Sequence, residues 1–142
     1  MEGQRLHRGR MIDHVQLVVM DLAASKRFYT AVFEALSIPL GGHGEDHFWY
    51  DELFVSSRES GAASDVLTER THLAFQAEDQ EAVDRFHRVA RAAGGRDKGA
   101  PGERPYHPGY YAAFVLDPDG NNIEAVYHGP ARRSANSVEI TF

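Results

Sequence analysis

The chain of 142 residues contains no cysteine, which excludes disulfide bonds, thiolate metal sites and a cysteine nucleophile. A chain without cysteine suits a reducing compartment, and we expect a cytoplasmic location. No apolar run approaches the length of about 20 residues that a membrane-spanning helix needs. We therefore expect no membrane partner.

Basic surface and nucleotide-binding motifs are also scarce. The chain has 15 Lys and Arg residues and 21 Asp and Glu residues, so its formal net charge is -6, and no basic stripe is present. The sequence has no phosphate loop, nucleophile elbow or dinucleotide fingerprint. We expect no nucleic-acid partner and a small-molecule substrate instead. With 42% hydrophobic residues, the length predicts one globular domain with a real core.

The most informative stretch is FVLDPDGNNIEAV at residues 114–126. Asp-Pro-Asp-Gly is turn chemistry, and apolar runs flank it, so a hairpin with strands at 112–116 and 121–127 is predicted. Glu124 is then an acid in the middle of an apolar strand. Taken alone, an exposed strand face explains Glu124 equally well.

A repeat runs through the chain with an offset of 58 residues. In both halves a His (His14, His72) is followed seven residues later by an Asp that can cap a helix (Asp21, Asp79), and seven further on by a Phe. Such a repeat means that one supersecondary unit of strand, helix and further strands is used twice. Two copies predict a curved sheet with helices behind it and a hollow in front.

The remaining strands, helices and loops are predicted from local sequence patterns. Strands are predicted at 12–20, 48–50, 53–56 and 71–77, a first helix after Asp21 and a second at 80–93, with His87 on its surface. Residues 1–10 are interpreted as a flexible leader, and the Gly- and Pro-rich residues 98–108 as irregular. Residues 137–142 resemble a strand that adds to a sheet edge of this chain or of a partner.

Strand alternation places His14, His72 and Glu124 on the face opposite the apolar one. Two imidazoles and a carboxylate suit a divalent ion such as Zn²⁺, Fe²⁺, Ni²⁺, Co²⁺ or Mn²⁺, and three protein ligands leave positions open for water and substrate. A lone His is more often bonded to a neighbour, but the repeat-related positions favour coordination by the pair.

These residues carry a family resemblance. The segments DHVQLVVMDLAASKRFY, THLAF and FVLDPDGNNIEAV resemble the vicinal oxygen chelate superfamily, which includes glyoxalase I, extradiol dioxygenases and the fosfomycin and bleomycin resistance proteins. The resemblance spans residues 11–128, with modules at about 11–60 and 70–128 and a tail at 129–142. It implies an α+β fold of paired βαβββ modules forming a curved mixed sheet around a central hollow, with helices on the outer face.

The resemblance also implies a site. His14, His72 and Glu124 match the family's metal-binding His, His and Glu, and the metal binds two oxygens of a substrate or intermediate. Two departures limit the match. The fourth ligand of glyoxalase I has only Glu52 as a candidate, and Phe114 stands where several relatives have Tyr. We name His107, Tyr110 and Glu52, in that order, as acid–base candidates.

Two functions remain open. The first is a metal-dependent lyase, isomerase or dioxygenase that acts on a small oxygenated substrate. The alternative is a metal-free protein that sequesters a ligand, as bleomycin resistance proteins do. A homodimer is expected in either case, because a hollow of two modules leaves exposed sheet edges that a partner can cover.

Overall fold

The computed structural model describes residues 5–60, 66–135 and 137–141. It contains two helices and three sheets. The elements, in chain order, are β1 (Arg5–Arg8), β2 (Val15–Val19), α1 (Leu22–Ala35), β3 (Gly42–His43), β4 (His47–Tyr50), β5 (Leu53–Ser57), β6 (His72–Gln76), α2 (Gln80–Ala92), β7 (Arg96–Glu103), β8 (Tyr111–Leu116), β9 (Asn122–Tyr127) and β10 (Val138–Thr141).

The predicted repeat is confirmed as two modules. The first sheet has the order β2-β5-β4-β3, and the second has the matching order β6-β9-β8-β7. In each module the first strand pairs in parallel with the last and the other neighbours are antiparallel. The α+β class is therefore confirmed, and the two sheets do not close into a barrel in the part of the chain that is described.

Both helices begin where the sequence predicts. Asp21 caps α1 by accepting a hydrogen bond from the backbone N–H of Ala24 at 3.1 Å. Asp79 caps α2 in the same way by accepting from the N–H of Ala82 at 2.7 Å. In each case the carboxylate satisfies an N–H that has no partner within the helix. Neither helix combines the length and the apolar character needed to cross a bilayer, within the ranges described.

One core serves both modules. It contains Leu17 and Val55 of the first sheet, Val115 and Ile123 of the second, and the apolar stripes of both helices, among them Phe28. Because the back faces of both sheets pack on this common core, their front faces point away from it. The front face is the side of each sheet that carries the polar residues discussed below.

The interpretation of residues 98–108 as irregular is wrong for the first part of that range, because β7 extends to Glu103 and pairs with β8. Register shifts between Asp97 and Gly99 and between Gly99 and Gly102 absorb the glycines. β7 is also an edge strand, where a proline such as Pro101 needs no ladder donor.

The surface position predicted for His87 is wrong as well. Its side chain is buried, and its Nε2 lies 2.8 Å from Oδ1 of Asp97 on the strand that covers this part of α2. The hydrogen bond from His87 lowers the pKa of Asp97.

The chain ends of the described structure pair with each other. Arg5–Arg8 forms β1, a strand that the sequence did not suggest, and it runs antiparallel to β10. The strand-like tail therefore pairs within its own chain, in a two-stranded sheet that is separate from the sheets of the two modules. Residues 1–4 of the predicted leader lie outside the described residues.

Candidate functional site

Glu124 is the centre of a polar cluster on the front face of the second sheet. It occupies the middle of β9 and is only 3% exposed. The Tyr110 hydroxyl donates to its Oε2, and Nε2 of His72 lies 2.9 Å from its Oε1. Since a carboxylate oxygen only accepts, the His72 tautomer in this arrangement carries its proton on Nε2. These two donors explain how a carboxylate is tolerated among apolar neighbours.

The phenol of Tyr110 is a proton donor at neutral pH. Burial, followed by the hydrogen bond to Glu124, raises the pKa of Tyr110 to about 12. A phenol with this pKa does not act as a base near pH 7. Tyr110 lies four residues before Phe114 and has the same strand parity, so the chain places a phenol on this face.

The Phe114 ring forms the apolar part of the same surface. Phe114 lies opposite Glu124 in the ladder between β8 and β9. Its ring stacks on the His72 ring with centroids 5.9 Å apart and an interplanar angle of 25°. The contact holds the imidazole in place, while 49% of the His72 side chain stays exposed.

A pair of histidines adjoins Tyr110. Nε2 of His107 lies 2.9 Å from Nδ1 of His128, and Nδ1 of His107 lies 2.9 Å from the carbonyl oxygen of Pro108. The carbonyl can only accept, so Nδ1 of His107 carries a proton and a neutral His107 presents the lone pair of Nε2 to His128. Both rings also contact the Tyr110 ring edge to face. Nothing in the sequence pattern pointed to His128, which lies 21 residues from His107.

His14 is not brought to this cluster within one chain. Its Nδ1 is 2.7 Å from Oδ1 of Asp13, its ring meets Phe54 of the first sheet edge to face, and 54% of the side chain is exposed. Within the described ranges no three His, Asp or Glu side chains form a group that could hold a metal ion. The physical reason is the shared core, because the front faces of the two sheets point away from it.

Glu52 also lies apart from Glu124. It sits in the turn between β4 and β5 and lines a cleft of about 220 Å³ between the modules, together with apolar residues such as Val15 and Leu73. Burial, followed by the neighbouring Asp51 carboxylate, raises the pKa of Glu52. The structure therefore groups His107 and Tyr110 with His72 and Glu124, and leaves Glu52 in a different place.

Two donor atoms of the cluster, one from His72 and one from Glu124, have the separation expected for two ligands of one metal ion. Ligand bonds of about 2.1 Å at right angles place two donor atoms about 3 Å apart. The His72 and Glu124 atoms lie 2.9 Å apart, and the proton on Nε2 would leave when an ion binds. One chain thus offers two ligands of the kind that borderline divalent ions prefer.

The front face of the first sheet carries a row of aromatic rings that the sequence pattern did not reveal. His47 stacks on Trp49 with centroids 5.8 Å apart, and Trp49 stacks on Phe54 at 5.4 Å. Beside the row, Nε2 of the Gln16 amide group donates to the Ser56 hydroxyl at 2.8 Å. Stacked rings next to polar groups form a surface suited to a flat ligand.

Comparisons with known proteins agree on one family. The sequence model described as Glyoxalase/Bleomycin resistance protein/Dioxygenase superfamily matches residues 11–125. The chain is similar to a crystal structure of a glyoxalase/bleomycin resistance protein from Albidiferax ferrireducens T118, with 32% identity, coverage of 82% of this chain and 98% of that one, and a TM-score of 0.71.

Two further structures are more distant. A glyoxalase/bleomycin resistance protein/dioxygenase family enzyme from Burkholderia phytofirmans PsJN has 25% identity, coverage of 81% and 96%, and a TM-score of 0.61. Lactoylglutathione lyase from Agrobacterium tumefaciens has 20% identity, coverage of 80% and 90%, and a TM-score of 0.59, and its likeness concerns the fold alone. No functionally curated protein matches the chain.

Proposed function

Because the chain belongs to the Glyoxalase/Bleomycin resistance protein/Dioxygenase superfamily, we propose that it is a metal-dependent enzyme acting on a small substrate with two vicinal oxygens. The reaction is of the lyase, isomerase or dioxygenase type. The observation that carries this proposal is the pairing of buried Glu124 with His72 on an open sheet face. A carboxylate in that position costs folding free energy, and a binding pocket without metal has no need of it.

His72 and Glu124 would hold the ion together with His14 of the partner subunit. One chain supplies two donors at the cluster, and His14 stands exposed on the front face of the other sheet. A homodimer with twofold symmetry that faces the first sheet of one copy toward the second sheet of the other would unite them. Zn²⁺, Fe²⁺, Ni²⁺, Co²⁺ and Mn²⁺ all suit nitrogen and carboxylate ligands. When bound, such an ion supplies Lewis-acid stabilisation of the oxyanion that develops on the substrate.

The remaining side chains of the cluster would bind the substrate and move its proton. Tyr110 keeps its proton at neutral pH and can donate a hydrogen bond to a substrate oxygen once Glu124 is occupied by the ion. His107 and His128 share one proton between their facing nitrogens and can accept a second. Phe114 excludes water from one side of the substrate.

Subunit mixing tests this arrangement. We expect His14→Ala and Glu124→Gln each to lose bound metal and turnover, and a refolded equimolar mixture to recover about a quarter of the wild-type sites, because half of the dimers then contain one intact site. Metal content by mass spectrometry and turnover on a panel of 2-oxo, thiohemiacetal and catechol substrates are the readouts.

The matched control combines variants at the two ligands that come from the same chain. A mixture of His72→Ala and Glu124→Gln should recover nothing, because no pairing of these chains contains both ligands. Wild-type metal content in His14→Ala, or a monomer at micromolar concentration by light scattering, would contradict the shared site.

His107→Ala should keep its metal and lose turnover by about 10²-fold, the lower end of the usual range for a general acid–base group. His107 contacts Tyr110 and His128 but is not bonded to His72 or Glu124 in the structure. The measurement is kcat against metal content in the same sample, with His43→Ala, an exposed histidine of β3, as control. An unchanged kcat would exclude His107 from proton transfer.

The second candidate function is a metal-free protein that sequesters a ligand in the cytoplasm. The aromatic row of His47, Trp49 and Phe54 favours it, since stacked rings bind flat ligands without a metal. One measurement distinguishes the two candidate functions. It is the metal content of protein purified without a chelator or a nickel column. Protein that binds a flat ligand tightly but never a divalent ion would support sequestration.

A further inference from the structure

Arg104 follows β7 on the front face of the second sheet, and backbone oxygens hold its guanidinium. Nη2 donates to the carbonyl of Ala100 at 2.8 Å and Nη1 donates to the carbonyl of Glu103 at 3.3 Å. The backbone N–H of Arg104 donates to the carbonyl of Tyr110 at 2.9 Å. These bonds fix the group in one place and leave it further N–H donors, because a guanidinium has five.

Two glycines make the space that the guanidinium occupies. A β-carbon at Gly99 would lie 3.3 Å from Nη2 of Arg104, and one at Gly102 would lie 3.2 Å from Nη1. Both separations are tighter than ordinary contacts, so larger residues at either position would push the guanidinium aside. Glycine at both positions therefore lets the side chain lie flat along the strand.

Among the described residues the positive charge of Arg104 has no carboxylate partner, because its guanidinium contacts backbone oxygens and the Phe114 ring instead. Arg8, by contrast, has Nε 3.4 Å from Oδ1 of Asp13. Arg104 is also half-buried, where a charge is screened less than on an open surface. An ordered, unpaired guanidinium is the usual protein partner of an anionic ligand.

The guanidinium lies within the candidate site. Its central carbon is 5.4 Å from the centroid of the Phe114 ring, and the same ring stacks on His72. The positive charge of Arg104 also acts on Tyr110, where it opposes the larger effects that raise the pKa of the phenol. The side chains of Glu124, His72, Tyr110 and Arg104 thus share one surface. The Phe114 ring contacts two of them, His72 and Arg104.

We propose that Arg104 binds a carboxylate of the substrate, one that is separate from the two vicinal oxygens held at the His72–Glu124 pair. The planar fork of the guanidinium matches the two oxygens of a carboxylate, and its single charge balances one carboxylate. The carbon atoms that join the two ends of the substrate would pack on the Phe114 ring. This inference rests on the proposed function for the vicinal oxygens and adds the class of substrate: an acid such as a 2-oxo diacid or a dihydroxybenzoate.

The test compares acids with their neutral amides by isothermal titration calorimetry on the full chain loaded with Ni²⁺. The probe pairs are 2-oxoglutarate against its 5-amide and 3,4-dihydroxybenzoate against 3,4-dihydroxybenzamide. We expect the wild-type protein to bind at least one acid about 10- to 100-fold more tightly than its amide, as for a hydrogen-bonded charge pair. Arg104→Gln should bind acid and amide alike, and Arg104→Lys should keep part of the preference.

Arg96→Gln is the matched control, because Arg96 is an exposed residue at the start of the same strand and the substitution changes the net charge equally. It should keep the full preference for the acid. Gly102→Ala keeps every charge but intrudes on the space of the guanidinium, and we expect it to weaken acid binding without changing amide binding.

The outcomes separate this inference from the proposed function. If metal-loaded protein binds acid and amide equally, or Arg104→Gln keeps the preference, the inference is overturned and the proposed function stands. If no metal binds but the acid still binds in an Arg104-dependent manner, the inference stands and the proposed function fails. If neither probe pair binds with or without metal, or inorganic phosphate binds more tightly than either acid through Arg104, a carboxylate site is overturned.

Discussion

Asp117→Ala is expected to lower the free energy of unfolding by about 4 kcal/mol, because each hydrogen bond to a buried carboxylate contributes about 1.5–3 kcal/mol. Asp117 is 2% exposed. Its Oδ2 accepts from the Tyr29 hydroxyl at 2.6 Å, and its Oδ1 accepts from the backbone N–H groups of Asp119 and Asn121 at 2.9 and 2.8 Å. The Nδ2 group of Asn121 also donates to Oδ2, at 3.3 Å, so alanine would remove the acceptor of four hydrogen bonds.

The effect should be large because Asp117 joins the two modules. Tyr29 lies on α1 of the first module, and the turn from Asp117 to Asn121 connects β8 and β9 of the second. Asn121 extends the connection, since its Nδ2 donates to the carbonyl of Thr68 at 3.2 Å and its Oδ1 accepts from the N–H of Thr71 at 3.0 Å. Loss of the carboxylate would therefore loosen a junction as well as a turn.

Urea denaturation at pH 7 measures this loss, and Tyr29→Phe is its control. The control removes one hydrogen bond of the four and should cost about 1.5–3 kcal/mol. Burial, followed by the Asp117 charge, raises the pKa of Tyr29 well above its usual range. The stability that Tyr29 contributes is therefore present below about pH 10 and is lost as pH rises further, and Tyr29→Phe should remove this loss. A loss below about 1 kcal/mol in Asp117→Ala would contradict the role of the junction.

Glu124→Gln is expected to weaken metal binding by about 10³-fold, which corresponds to about 4 kcal/mol. The amide keeps the shape of the side chain but not its charge, and a neutral oxygen is a poor ligand for the ions named above. Activity should disappear with the metal. Competition with a chromogenic chelator measures the affinity, and Glu103→Gln, an exposed residue of β7, is the control for a change in net charge.

The same variant should change the stability of the metal-free protein by less than about 1 kcal/mol. The amide oxygen can still accept from the Tyr110 hydroxyl, and the amide nitrogen can donate to Nε2 of His72 once that ring takes its other tautomer. A stability loss far above this value would mean that Glu124 serves the fold. Wild-type metal affinity in Glu124→Gln would exclude Glu124 as a ligand.

Local signals in the sequence predicted most elements correctly. Asp21 and Asp79 marked both helix starts, because capping depends on only a few neighbouring residues. The Asp-Pro-Asp-Gly turn predicted the hairpin of β8 and β9, and Gly120 takes the positive φ of 87° that the turn requires. β7 was missed, since its Gly- and Pro-rich residues have low strand propensity and are ordered by pairing with β8 and by contact with α2.

The residues of the site likewise include some that local sequence predicted and some that it did not. Residue type and strand parity were enough to place Glu124 and His72 on one face, because alternation in neighbouring parallel strands depends on local sequence. Arg104 and His128 carried no such signal, since each lies one residue beyond the end of a strand, where alternation no longer predicts the direction of a side chain.

The sequence by itself determined the repeat, the two helix caps, the hairpin and the family, all of which depend on short-range patterns. Only the tertiary structure decided that Asp117 joins the modules and that His14 stands apart from His72 and Glu124. The reason is that both sheets bury their apolar faces in one core. That packing depends on how two modules meet, which no periodicity within either module encodes.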